Sequence, residues 1–315
     1  MSNTDTYADG ITAIDTGFFR PRFDASHLIV ERGRAAFVDV GTNHSVPHLL
    51  EVLAQKGVGV DAVDYVILTH VHLDHAGGAG LMMQTLPNAK LVVHPRGARH
   101  MIDPSQLIAG ATAVYGADEI ARSYGTLVPV PPERVIEAPE GHVVDLAGRE
   151  LVCFDTPGHA RHHFCLRDAR SGAFFTGDTF GLSYREFDTA KGAFILPTST
   201  PVQFEPDALK HSIARMLEHD PQQMFLTHYS RVTGVPRLAQ DLFEQIDAMV
   251  AISRAHASDE NRHARIADDL ADLYISRAQS HGCAFSPAQV RELLAMDIEL
   301  NTQGLEVWLD RQKAA

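Results

Sequence analysis

Four residues of types that bind transition metals lie within six positions of the chain. They are His70, His72, Asp74 and His75. Imidazole nitrogens and carboxylate oxygens are ligands that suit zinc and its transition-metal neighbours. Four such groups packed this tightly would repel one another without a cation to share. We therefore interpret the segment 70–75 as a metal-binding loop rather than as a polar surface loop.

The candidate ligands follow short apolar runs that are typical of buried strands. Tyr65–Leu68 precedes the segment 70–75, which we call the crowded loop. Phe174–Phe175 precedes Asp178, and Met224–Leu226 precedes His228. Loops that leave the ends of neighbouring strands can direct several side chains at one point. We therefore expect these ligands to converge at one edge of a sheet.

The sequence of residues 69–78, Thr-His-Val-His-Leu-Asp-His-Ala-Gly-Gly, resembles the signature of the metallo-β-lactamase fold superfamily. The pattern of strands and helices predicts an α/β fold with a helical extension at the C-terminal end, and the resemblance implies that the fold is the αββα sandwich. It also implies two divalent metal ions, with zinc expected first and iron or manganese as alternatives. The positions that match the first metal site are His70, His72 and His159, those that match the second are Asp74, His75 and His228, and the carboxylate that bridges both ions is Asp178.

The resemblance implies a metal-dependent hydrolase that cleaves an ester, a thioester or a lactone. Two ions would lower the pKa of a shared water to about 7, and the resulting hydroxide would attack the substrate. Asp74 is then expected to have a catalytic role, orienting this nucleophile. The sequence has no Gly-x-Ser-x-Gly segment, and this chemistry requires no serine nucleophile.

Several functions of related proteins stay open as alternatives. The position of the helical tail is similar to that in the glyoxalase II enzymes, and lactonase-like hydrolysis is a second possibility. A third alternative is a non-heme di-iron protein that binds or reduces oxygen, although such relatives usually carry Glu at the position of His72. Nucleic-acid processing shares the signature but is opposed by the net charge of −13.

Composition favours a globular protein that acts on a small molecule. The 315 residues are 45% hydrophobic and 21% charged, which are ordinary values for such a protein. The negative charge disfavours generic binding to nucleic acid or to anionic membranes.

The three cysteines have no motif spacing, and the N-terminal residues resemble no signal peptide, so we expect a reduced, cytoplasmic compartment. Cys153 and Cys165 are interpreted as packing residues. The sequence makes no prediction of oligomeric state.

The pattern along the chain predicts a catalytic domain over residues 1–235 and a docked helical extension over residues 236–315. Strands are expected in the first domain, joined by turns such as Arg32-Gly33-Arg34. A helix is predicted over Val46–Lys56 and is ended by Gly57. Residues 95–132 are expected to form a helical insertion that packs on the sheet and lines part of the cleft, with a lid as the alternative.

Other polar residues are less specific. Asp39, in Asp-Val-Gly, either supports the metal site or closes a turn. Tyr184 and Tyr229 are interpreted as packing residues, with substrate hydrogen bonding as the alternative. His163 is expected to be structural. The histidines interpreted as surface or packing residues are His44, His94, His142 and His211.

Overall fold

The computed structural model describes residues 4–199 and 202–314, and the chain divides into two compact units. The first unit comprises the residues up to Asp155, His162–Gly177 and Phe225–Ser230. The second unit comprises Thr156–Arg161, Asp178–Met224 and the residues from Arg231 onward. The domain boundary expected at residue 235 stays a prediction. The helices beyond it share the second unit with Asp178–Met224.

The described residues form two β-sheets, one of seven strands and one of six. The strands of the first sheet, in spatial order, are β1 (Thr4–Thr6), β2 (Ile11–Asp15), β3 (Ala25–Glu31), β4 (Arg34–Val38), β5 (Val63–Ile67), β6 (Lys90–Val93) and β7 (Val135–Glu137). The strands of the second are β8 (Val143–Leu146), β9 (Arg149–Asp155), β10 (Phe164–Asp168), β11 (Ala173–Gly177), β12 (Gln223–Leu226) and β13 (Ser230–Thr233), and their spatial order runs from β13 back to β8. The predicted α/β class with two sheets is confirmed.

Strand pairing changes from antiparallel to parallel within the first sheet. Strands β1 to β4 pair antiparallel, and β4 to β7 pair parallel. Arg32 and Gly33 join β3 to β4 with positive φ angles of 48° and 79°, which is the backbone of a two-residue hairpin turn. The parallel strands β4 and β5 end at the same edge, and there the loops that follow them carry Asp39 and the crowded histidines.

The two sheets pack face to face in the first unit. Ile29, Ile67 and Val92 from the first sheet contact a core that includes Phe164 and Phe175 from the second. All five side chains are fully or almost fully buried. This apolar layer fixes the edges of the sheets from which the candidate ligands extend.

Helices cover the other face of the first sheet. The helices of the first unit are α1 (Val46–Gln55), α2 (Leu73–Ala76), α3 (Ala79–Thr85), α4 (Pro95–Ile102), α5 (Ser105–Tyr115) and α6 (Ala117–Tyr124). Buried residues of α1, α3 and α4 join one apolar core with the first sheet. The predicted insertion, residues 95–132, contains α4, α5 and α6 and is mainly helical. Ile120 and Leu127 from its later part pack against Leu73, which lies inside the crowded loop.

The second unit is largely helical. Its helices are α7 (Pro206–Leu217), α8 (Val235–Ala255), α9 (Arg262–His281), α10 (Pro287–Leu293) and α11 (Ala295–Ala314). Ser286 caps α10 by accepting a hydrogen bond from the Gln289 backbone, with Pro287 at the first helical position. The predicted C-terminal run of helices is confirmed. Within the described residues, no helix combines the length and the apolar character needed to cross a bilayer.

Candidate metal centre

The crowded loop leaves β5 and turns at once into the short helix α2. His70 and His72 lie in the loop, and α2 carries Asp74 and His75. Nε2 of His70 lies 2.7 Å from Nδ1 of His72, so two ring nitrogens point at the same place. After the loop, Gly78 packs closely against the backbone of Thr42, because a Cβ atom at position 78 would lie only 2.6 Å from the Thr42 carbonyl oxygen.

A second group of donors forms beside the first. Oδ2 of Asp74 lies 3.8 Å from Nε2 of His75 and 3.5 Å from Nε2 of His228. One ligand atom from each of these three residues lies within 4.8 Å of the others. The rings of His70 and His75 are 4.0 Å apart between centroids. The first unit therefore brings together five of the seven predicted ligands.

Asp39 holds the segments that carry these ligands. Its carboxylate accepts a hydrogen bond from His75 Nδ1 at 2.8 Å and one from the Thr69 backbone N–H at 2.8 Å. The hydroxyls of Thr69 and Thr227 also donate to it, each at 2.8 Å. Asp39 thus contacts the residue before His70, the ring of His75 and the residue before His228, and its role is more than closing a turn.

His228 is held from the loop between β2 and β3. Its Nδ1 atom donates to the carbonyl oxygen of Phe23 at 2.8 Å. The adjacent Asp24 is fully buried, and its Oδ1 atom has no hydrogen-bond partner among the described residues. Burial raises the pKa of the Asp24 carboxyl to about 7, while the nearby His228 and His75 act in the opposite direction. Sequence patterns did not identify Asp24, because no motif surrounds it.

The two remaining predicted ligands meet in the second unit. Nε2 of His159 lies 3.3 Å from Oδ2 of Asp178. On the opposite side of the ring, Nδ1 of His159 donates to the carbonyl oxygen of Thr198 at 3.3 Å. The hydroxyl of Ser212 donates to the carbonyl of Pro157 at 2.7 Å and fixes the turn that presents the histidine.

The hydrogen bonds at Nδ1 determine which nitrogen of each ring can bind a cation. Carbonyl and carboxylate oxygens only accept here, so Nδ1 carries the proton in His75, His159 and His228. Each Nε2 then presents a lone pair to a carboxylate oxygen, of Asp74 or of Asp178. Two acceptors at 3.3–3.8 Å repel unless a cation or an added proton lies between them. This donor set fits a divalent metal ion.

Two further histidines lie beside the crowded loop. His163 is fully buried and stacks on His70 with ring centroids 4.8 Å apart, in keeping with its expected structural role. His162 accepts a hydrogen bond at Nδ1 from the Val71 backbone at 3.4 Å, and its ring lies 5.5 Å from that of His72. In the sequence, His162 follows His159 closely, and the Pro-Gly-His segment favours His159 over His162 as the ligand.

Other residues singled out in the sequence have packing or capping roles. Tyr184 is buried and donates to Asp297 at 2.9 Å. Tyr229 is buried, and burial raises the pKa of its hydroxyl. His94 caps α4 through a hydrogen bond from the Arg96 backbone to Nδ1. Cys153 and Cys165 are buried, as expected for packing residues.

Comparison with known proteins identifies the family. The model of the metallo-beta-lactamase superfamily matches residues 20–228, well over half of the chain. The chain belongs to the metallo-beta-lactamase superfamily. This superfamily is largely hydrolytic, and its fold typically binds divalent metal ions.

Three relatives illustrate the similarity. The metallo-beta-lactamase fold-containing protein ST1585 of Sulfurisphaera tokodaii is 27% identical over 191 residues, which cover 59% of this chain and 67% of that protein. The acyl-coenzyme A thioesterase MBLAC2 of Bos taurus is 28% identical over 204 residues, covering 56% and 68%. A hydroxyacylglutathione hydrolase of a Synechococcus strain is 30% identical over 145 residues, covering 46% and 43%.

A solved structure supports the same fold over nearly the whole chain. The crystal structure of ST1585 matches with a TM-score of 0.66 and 23% sequence identity, and covers 95% of this chain and 99% of that one. The likeness therefore includes the C-terminal helices, which lie outside the 20–228 segment.

Proposed function

We propose that this protein is a hydrolase that uses two divalent metal ions, most simply zinc, to cleave a small ester, thioester or lactone. In this proposal the first ion is bound by His70, His72 and His159, the second by Asp74, His75 and His228, and Asp178 is shared. The observation that carries the proposal is the orientation of three histidines. In each of them Nδ1 donates a hydrogen bond to an oxygen, and Nε2 directs its lone pair toward a carboxylate.

When bound, the metal pair would make a water molecule acidic enough to supply hydroxide near neutral pH. The residues of the chain then have separate tasks. Asp39 and the Phe23 carbonyl hold His75 and His228 in one tautomer and one ring orientation. The side chain of Asp74 keeps 26% of its surface exposed, whereas the His75 side chain is fully buried. Asp74 is therefore the group placed to accept a hydrogen bond from the attacking nucleophile.

Thioesters are the substrate class that we put first. Two of the relatives are named for acyl groups carried by coenzyme A or by glutathione. His72 also favours hydrolysis over oxygen chemistry, because a neutral imidazole stands where a carboxylate would better support iron redox chemistry. We also propose that the protein acts in a reduced cytoplasm, on the basis of its cysteine count.

The proposal is tested by metal analysis together with a substrate panel. Purified, metal-replete protein should contain two ions per chain and should hydrolyse at least one member of a panel of acyl-coenzyme A, acyl-glutathione, lactone and activated ester substrates. His70→Ala should abolish turnover. His211→Ala, which changes an exposed histidine on α7, is the matched control and should behave as wild type. A metal-replete protein inert to the whole panel would contradict the proposal.

A further inference from the structure

One peptide group of the second unit lies between helix α11 and the ring of His159. It is the peptide that joins Thr198 to Ser199. Its carbonyl oxygen accepts the hydrogen bond from His159 Nδ1 at 3.3 Å. Its N–H donates to Oδ1 of Asn301 at 2.6 Å. Because a peptide group is planar, with its N–H and C=O pointing in opposite directions, Asn301 sets the direction of the oxygen that holds His159.

The side-chain amide of Asn301 has hydrogen-bond partners at both its nitrogen and its oxygen. Its Nδ2 atom donates to the carbonyl oxygen of Pro197 at 3.2 Å and to the hydroxyl of Tyr274 on α9 at 2.8 Å. Its Oδ1 atom also lies 3.1 Å from the Ser199 hydroxyl. Both hydrogens of the amide nitrogen and the amide oxygen therefore have partners, and the single Ser199 hydroxyl hydrogen lies between Oδ1 and the backbone carbonyl oxygen of Asn301. Asn301 thus makes hydrogen bonds to Pro197 and Ser199, the residues immediately before and after Thr198.

Burial makes this arrangement rigid. Asn301, Ser199, Tyr274 and His159 are each at most 1% exposed, so water cannot easily replace a lost hydrogen bond. Ser199 and Asn301 are 102 positions apart in sequence, so the connection depends wholly on the packing of α11 within the second unit.

We infer that Asn301 is a positioning residue for the metal site, acting through the Thr198–Ser199 peptide on His159. The inference rests on the proposed function in one respect, that His159 is a metal ligand. It assigns the C-terminal helices a specific task, which is to hold one ligand ring in its Nδ1–H tautomer with Nε2 free for the ion. Loss of such a supporting contact typically weakens metal binding about 10- to 100-fold.

The first test compares Asn301→Ala with Thr302→Val. Thr302 is the adjacent residue on α11 and is equally buried, but its hydroxyl donates to the Ile298 carbonyl of its own helix at 2.7 Å. Cobalt(II) would be titrated into metal-free protein and followed by visible absorption. Asn301→Ala should weaken binding of the more tightly held ion by at least about 10-fold, and Thr302→Val should leave it unchanged. Equal, unweakened affinities in two folded variants would overturn the inference.

The second test needs neither turnover nor metal. Nitrogen-15 chemical shifts of the His159 ring in the metal-free wild-type protein should show the Nδ1–H tautomer, and in Asn301→Ala they should show a mixture of tautomers. A wild-type His159 protonated at Nε2 alone would overturn the inference even if the variant failed to fold. Wild-type protein that binds no cobalt would instead refute the proposed function, and a tautomer that is present in that protein but lost in Asn301→Ala would still support the control of the His159 ring by Asn301.

Discussion

Nδ1 of His75 lies 2.8 Å from Oδ2 of Asp39, and both side chains are buried to within 1% of their surface. The same carboxylate accepts from the hydroxyl of Thr227, which precedes His228 in the chain. One acidic group therefore fixes two ligand segments that are separated by about 150 positions of sequence. Its position at the end of the parallel strand β4 makes this possible, because β5 and the crowded loop end at the same edge.

Replacing Asp39 with Asn tests this relationship. The amide keeps the size of the side chain but presents an N–H₂ group to hydroxyl and imidazole donors, so at least one of the present hydrogen bonds is lost. We expect Asp39→Asn to weaken zinc binding about 10- to 100-fold in calorimetric titration. Asp207→Asn, at a side chain that is 98% exposed, is the control. Unchanged zinc affinity in folded Asp39→Asn would show that the contact does not support the site.

Asp178→Ala tests the sharing of the metal ions. The wild-type chain should hold two ions after dialysis. The variant should lose the second more readily than the first, because three histidines can still hold the first ion. Elemental analysis during a graded exposure to chelator measures both ions. Saturation of metal-replete wild-type protein at a single ion would contradict the binuclear assignment.

The dependence of the hydrolytic rate on pH separates hydrolysis from oxygen chemistry. The zinc-loaded protein should turn over faster as pH rises through about 7, because the attacking water must lose a proton. Turnover would be followed from pH 5.5 to 9 on the best thioester. The opposite pattern would be rapid oxygen consumption by iron-loaded protein beside an inert zinc form, and that result would favour the di-iron alternative.

His27 should make the stability of the metal-free protein depend on pH. It is buried between Phe175 and Phe225, and its Nε2 atom has no hydrogen-bond partner among the described residues. Burial lowers its pKa to about 4, while Asp39 acts in the opposite direction. Below its ordinary pKa of 6.5 the unfolded chain gains a proton that the folded chain does not, so stability falls as pH drops toward 4.

The size of this effect follows from the shift of the His27 pKa. It amounts to roughly 3 kcal/mol of unfolding free energy between pH 7 and pH 4. His27→Leu should remove this part of the pH dependence, and urea unfolding of the metal-free protein at the two pH values measures it. Equal losses of stability in wild type and His27→Leu would show that the ring gains a proton in the folded state.

The amino-acid sequence by itself determined the chemistry of the candidate site. The spacing of His70, His72, Asp74 and His75 after an apolar run needs only local geometry, because all four lie on one loop that leaves one strand. Turn residues such as Gly33 and the cap at Ser286 were readable for the same reason, since each acts within a few positions. The strands β1, β7 and β13 were not predicted. β1 and β7 have only three residues each, and β13 has a single apolar residue, so none of them contains an apolar run like the one in β12.

Only the tertiary structure decided which groups hold the ligands. The contact of Asp39 with Thr227 and that of Ser199 with Asn301 join residues 188 and 102 positions apart, and no local pattern encodes such a pair. Hydrogen bonds of this kind form because packing excludes water and leaves each buried polar atom with few possible partners. The types of the candidate ligands are thus a property of the sequence, whereas their tautomers and orientations are a property of the fold.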